Sequence, residues 1–263
     1  MDKNPVTDNK SRPAEQISRL YSKIEPLTFN RHRSVGFSAD ANYRFSRGAV
    51  SVPATLSELV LAQRHYPVVF AGDTIPIPIL LLGIRDEDGN LFVDDNGKWL
   101  DHAYVPAFLR RYPFIARPKP DKKSLVLGAD MASDLLVNGG EHPFFEDEQP
   151  TARAQKAFEL SVRLHHDFEA AREFGMALAE MGLLKEQQAE VTLPDGVSKL
   201  KLTNFKMVDE AELGALADDT ILEWRRRGWL PPLHAHLMSL ANWTDLARRS
   251  HARSAQRDLT SGE

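Results

Sequence analysis

The chain has no cysteine among its 263 residues. Disulfides, zinc–thiolate sites, iron–sulfur clusters and cysteine nucleophiles are excluded together. Long apolar runs are missing as well. The greasiest stretch, "IPIPILLLGI" from Ile75 to Ile84, is about half the length of a membrane helix and carries two prolines, so no membrane span and a soluble protein are expected. The opening "MDKNPVTDNKSRPAEQ" lacks an apolar core, so no secretory signal is read. A cytoplasmic location is the expectation, with signal-independent export to the cell surface as the alternative. A formal net charge of −4 gives no general attraction to nucleic acid or to anionic membranes. No G-x-S-x-G, P-loop or G-x-G-x-x-G motif is written anywhere.

What is present is a phrase written twice. "SVPATLSELVLAQRHYPVVF" runs from Ser51 to Phe70, and "YVPAFLRRYPFI" from Tyr104 to Ile115. Each carries Val-Pro-Ala, leucine, arginine, Tyr-Pro and an apolar pair. Pro53 and Pro106 suit the first turn of a helix, and Pro67 and Pro113 stop one. The two segments read as helix-into-strand units entering the same sheet, with Tyr66 and Tyr112 at comparable junctions. Between them, Asp-Gly and Asn-Gly turns make "ILLLGIRDEDGNLFVDDNGKWL" read as a β-meander. "SLVLGAD" from Ser124 reads as a further strand.

The second half is mainly helical. Apolar residues step by threes and fours from Thr151 to Met181, predicting one long amphipathic helix with Gly182 as its terminal cap. A strand, a Pro-Asp-Gly turn and a strand follow, then helices over Ala211–Leu216, Asp219–Arg227 and Leu233–Arg249. The fold class is α+β: a largely antiparallel sheet in the N-terminal half with a mainly helical C-terminal half packed on it. Residues 1–40 read as a flexible tail, 41–250 as a single domain and 251–263 as a frayed end.

Candidate chemistry is sparse. His165, His166 and Asp167 are neighbours on a helix, where side chains point ~100° apart, so they do not converge on a metal. His165 sits within reach of Glu169 one turn on. His234 and His236 diverge for the same reason. The acidic turns at Asp86 and Asp94 fail the EF-hand pattern at its sixth position. No metal and no cofactor are expected. The suggestive group is Trp99, His102, Tyr104, Arg110, Arg111 and Tyr112, with Tyr66 from the first phrase. Aromatic residues and arginines are enriched in binding hot spots, so this end of the sheet reads as a contact surface. Catalytic residues are not assigned.

Five stretches, "HYPVVF", "NLFVDDNGKW", "YVPAFLRRYPF", "LPDG…L…NFKMVDEAEL" and "HAHLMSLANWTDLARR", make the chain resemble the SapC-like family of bacterial proteins. The family is named after a surface-layer-associated protein and is distinct from the permease of the same name. Its genes often neighbour those of flavin-dependent halogenases, cupin-like proteins and TonB-dependent receptors. The resemblance implies a non-enzymatic binding or accessory protein of an envelope, surface-layer or receptor–halogenase system. Its partner would be a protein of the same gene neighbourhood. The alternative is an enzyme or enzyme subunit acting on a peptide or small aromatic substrate. The resemblance supplies no catalytic residues.

Overall fold

A computed structural model describes residues 20–39, 42–119, 121, 123–192 and 199–261. Its backbone is an α+β fold, with antiparallel sheets in the N-terminal half and helices in the C-terminal half. The central sheet has five strands: β3 (Ser51–Pro53), β4 (Val68–Ala71), β5 (Ile77–Leu81), β12 (Leu184–Thr192) and β13 (Lys199–Val208). Their order is β12-β13-β4-β5-β3, antiparallel throughout. The hairpin β12–β13 therefore comes from the C-terminal half to complete a sheet begun in the first; its turn, Pro194-Asp195-Gly196, lies outside the described residues. β4 is an apolar run buried on both faces, as a strand covered on both sides must be.

A second sheet pairs β1 (Ile24–Pro26), β7 (Leu125–Asp130) and β6 (Phe114–Pro118) in the order β1-β7-β6. A third sets β2 (Val35–Phe37) between β8 (Leu136–Asn138) and β9 (His142–Pro143), and β10 (Phe145–Glu146) pairs with β11 (Gln149–Pro150). Residues 24–37 are thus part of the fold, as β1, the short helix α1 (Phe29–His32) and β2. The tail expected through residue 40 is corrected from Leu20 onward: Leu20 and Tyr21 are buried in the main core.

The repeated phrase is also corrected. Pro53 lies in β3, paired with Ile79, at the edge of its sheet, where a missing N–H costs no ladder bond. The first helix is only a 3₁₀ turn (Leu56–Glu58) leading into α2 (Leu59–Ala62), while the second is α3 (Ala107–Arg110). They feed β4 and β6, which belong to different sheets. The meander is absent among the described residues. After β5 comes a 3₁₀ turn at Asp86–Asp88 and one isolated bridge between Val93 and Trp99. Asp88 points inward, accepting from Arg85 and from Ser250 at 2.7 Å each. That buried network replaces the hairpin.

Helix α4 (Ala152–Glu180) follows the predicted stripe, capped by Thr151, with Gly182 left-handed just past its end. It packs along β5, β6 and the 3₁₀ turn at Leu56–Glu58. At Gly175 a Cβ would lie 1.9 Å from the Pro76 carbonyl oxygen. Only glycine lets the helix lie this close to the β4–β5 turn, although mid-helix glycine costs about 1 kcal/mol. α5 (Glu210–Gly214) starts on the Asp209 cap, and α6 (Asp218–Arg227) follows. The last predicted helix is divided into α7 (Leu230–Ser239) and α8 (Trp243–Ser261) by a 3₁₀ turn. α8 runs through the end expected to fray, and Arg253 donates to the Val93 carbonyl at 3.4 Å.

Between β4 and β13 the ladder is completed by a side chain. Lys206 pairs with Phe70, so the register sets Val208 opposite Val68. There His236 of α7 intervenes. Its Nε2 accepts the Val208 N–H at 3.1 Å, and its Nδ1–H donates to the Val68 carbonyl at 2.8 Å. Ser239 accepts the Val68 N–H at 2.9 Å. The ring is fully buried against Phe70. Burial lowers its pKa to about 4, the bond to the Val68 carbonyl acting the other way. The folded value lies below the unfolded one, so the unfolded chain binds more protons between them. This stability is present at neutral pH and is lost as pH falls through that window. Between pH 7 and pH 5 the loss from this one group is roughly 2 kcal/mol. Urea unfolding at the two pH values should show it in the wild type. H236Q, weaker at pH 7, should lose about 2 kcal/mol less over the same range. Equal losses in both proteins would rule this role out.

Candidate functional site

The two repeated phrases meet through a carboxylate. Glu58 is 3 % exposed. Its Oε1 accepts the Thr55 N–H at 2.7 Å and the Thr55 hydroxyl at 3.1 Å, the reach-back half of a capping box. Its Oε2 accepts the Ala107 N–H at 2.7 Å, the first residue of α3. The Tyr66 hydroxyl donates to the Tyr104 carbonyl alongside. Burial raises the Glu58 pKa above the usual carboxylate range, and these donors oppose the rise. One side chain thus caps the start of the first phrase's turn and the start of the second phrase's helix.

α3 carries Phe108 into the core and ends at Arg110 and Arg111. The two arginines part company. Arg110 is exposed, donating to the Tyr104 hydroxyl at 2.8 Å and lying 5.3 Å from that ring's centre. Arg111 is 6 % exposed. Its guanidinium carbon sits 5.0 Å from the Phe108 ring centre, 5.2 Å from that of Phe168 on α4 and 5.8 Å from that of Tyr21. Its Nε has no hydrogen-bond partner. Among the described residues no carboxylate lies within ion-pair distance of it. Its guanidinium does hydrogen-bond the Tyr21 hydroxyl, on which Asp130 also acts through its charge; Asp130 itself is engaged by the N–H groups of Ser22 and Lys23 at 2.8 Å each. A buried cation without a counter-ion costs several kcal/mol. Cation–π contacts recover only part of that, about 0.5–2 kcal/mol each.

Arg111 lines a cleft of about 400 Å³ between α4, β3, β6 and the β4–β5 turn. Its walls are apolar: Phe108, Ile115, Phe168, Ile75, Ile77 and Pro53. His165, Asp73, Glu169 and Arg172 also line it, and Glu169 pairs with Arg172 at 3.8 Å. That volume lies within the range of pockets that hold small molecules. Arg111 also lines a second cleft of about 250 Å³.

The predicted contact surface is divided by burial. Tyr66 is fully buried, edge-on to Phe92, and Trp99 is 7 % exposed beside Tyr43 and Phe92. Both are core, not surface, and this corrects their reading as contact residues. Tyr104 and Tyr112 are half-buried, and burial pushes the pKa of each to about 12. Tyr112 stacks on Phe45 at 4.1 Å and donates to Asp130. Its bond to Pro113 is cis. His102 is exposed, with positive φ. Tyr66 and Tyr112 share only the packing of their rings on the core. His165 reaches the cleft while His166 is exposed, and no group of three metal-ligating residues is brought together among the described residues. Glu58 and Phe168 were not singled out; Thr55-x-x-Glu58 has the spacing of a capping box and was the available signal.

E58A leaves the Thr55 and Ala107 N–H groups without acceptors in the core. Each such orphan costs about 1–3 kcal/mol, so a total loss of roughly 3 kcal/mol is expected in denaturant unfolding. A loss below about 0.5 kcal/mol, the range of a surface substitution, would show that the carboxylate does not hold α3.

A family model described as SapC matches residues 27–246. No curated protein and no solved structure matches the chain. No helix among the described residues is long and apolar enough to cross a membrane.

Proposed function

The chain belongs to the SapC family, and on that premise we propose that it is a non-enzymatic binding protein for a small apolar molecule carrying a carboxylate. The observation that carries the reading is Arg111: a buried guanidinium with an unpartnered N–H, on an apolar cleft of about 400 Å³. A ligand carboxylate in the cleft would supply the counter-charge that the guanidinium lacks, and charge-assisted pairs of this kind are among the strongest hydrogen bonds. The apolar part of the ligand would lie against Phe108, Ile115 and Phe168. The protein would serve a partner of the same gene neighbourhood, in a surface-layer, receptor or halogenase-associated system of the bacterial envelope. That part of the proposal rests on the family resemblance.

The second reading, an enzyme or enzyme subunit acting on a peptide or small aromatic substrate, draws on His165 and Glu169 in the same cleft lining. Mass spectrometry of the bound molecule after incubation separates the two: a binder returns it unchanged.

Titration calorimetry with benzoate, octanoate and their uncharged amides tests the site. The acids should bind at least tenfold more tightly than the amides, about 1.4 kcal/mol, and R111M should abolish the difference. Amides that bind as tightly as the acids, or an R111M protein that still discriminates, would defeat the proposal. A pull-down from the native host tests the partner; recovery of no envelope, receptor or halogenase protein would remove that assignment.

A further inference from the structure

His165 and Arg172 both line the larger cleft, and they stand seven positions apart on one face of α4. At 1.5 Å of rise per residue, the cleft runs about 10 Å along the helix. Its two ends differ. Arg111, 6 % exposed, has its guanidinium against Phe168, near the His165 end. The β4–β5 turn, with Gly72 and Asp73, lies toward the other end, where Gly175 meets Pro76 seven positions beyond Phe168. Asp73 and Arg172 are exposed, so this is the solvent end.

The cleft therefore has a buried cation at one end and an exposed carboxylate at the other. Glu169 and Arg172 offset one another at 3.8 Å, whereas Asp73 has no ion-pair or hydrogen-bond partner among the described residues. Asp73 is hydrated and costs the fold nothing; it bears on which ligand is preferred. A ligand group beside it keeps part of its own hydration, and such a screened pair is worth a few-fold in affinity at most. Between the ends, Ile75, Ile77, Phe108 and Ile115 form the walls. They offer a buried amide no side-chain partner, so a methylene spacer suits them and a peptide group does not.

We infer that the ligand is a straight-chain ω-amino acid: a carboxylate at Arg111, an apolar spacer of about six to eight carbons, and an ammonium at the solvent end beside Asp73. An extended chain reaches roughly 1.2 Å per bond, so the eight bonds of 8-aminooctanoate cover about 10 Å. This inference rests on the carboxylate site at Arg111. Titration calorimetry at constant ionic strength compares 8-aminooctanoate with 4-aminobutanoate, with trialanine, and with nonanoate, in which a methyl replaces the ammonium. 8-Aminooctanoate should bind at least tenfold more tightly than 4-aminobutanoate, because it covers four more methylenes, and no weaker than nonanoate by more than about threefold. D73N, an exposed substitution, should leave the melting temperature in place. It should weaken 8-aminooctanoate about two- to fivefold and leave nonanoate unchanged. The inference fails if the ammonium costs more than about tenfold against nonanoate, if D73N binds both ligands as the wild type does, or if trialanine binds as tightly as 8-aminooctanoate. In each of those cases nonanoate binding that is lost in R111M would leave the carboxylate site standing. Absence of binding by nonanoate and the amino acids alike would remove both.

Discussion

The contact on which the site depends is the Glu58 carboxylate, closing the turn at Thr55 and opening α3 at Ala107. α3 is only four residues long, and a helix that short does not hold itself together in water. With its first N–H fixed by a buried carboxylate, its far end is fixed too. That end carries Phe108 inward and delivers Arg111 to the space between Tyr21, Phe108 and Phe168. The repeated phrase is thus two unequal segments tied to one another across Glu58, not two equivalent entries into one sheet.

Around this contact, the fold positions the cleft walls by close approach. α4 can lie on the β4–β5 turn because Gly175 has no side chain to meet Pro76. That contact brings His165, Phe168 and Arg172 opposite Gly72, Asp73 and Ile75. On the far side of β4, His236 and Ser239 complete the hydrogen bonds of Val68 where the ladder with β13 ends. One helix shapes the site, and another satisfies the strand that lies behind it.

The long helix, the paired strands β12 and β13 and the strand at "SLVLGAD" were legible because their signals are local: a 3.6-residue stripe, two β patterns close together in the chain, and an apolar run. The meander was not, because Asp88 reads as a turn residue until Ser250, far along the chain, is seen bonded to it. The strands at 24–37 were hidden by short length and mixed polarity; they gain their partners from residues about a hundred positions away. Arg110 and Arg111 were both visible as candidates, but adjacent residues on a helix point in different directions, and only the tertiary packing decides which is buried. Trp99 and Tyr66 share the composition of a hot spot, yet the same rings serve equally well as core.

The central claim is that Arg111 is kept for a ligand and not for the fold. Removing a buried charge that has no carboxylate partner, in favour of an apolar group of similar length, should relieve a cost greater than the ring contacts recover. Guanidinium chloride unfolding of R111M without ligand tests this most directly. The account predicts a stability equal to or above that of the wild type. A loss greater than about 2 kcal/mol, as expected when a buried charge network is broken, would make Arg111 a structural residue and contradict it.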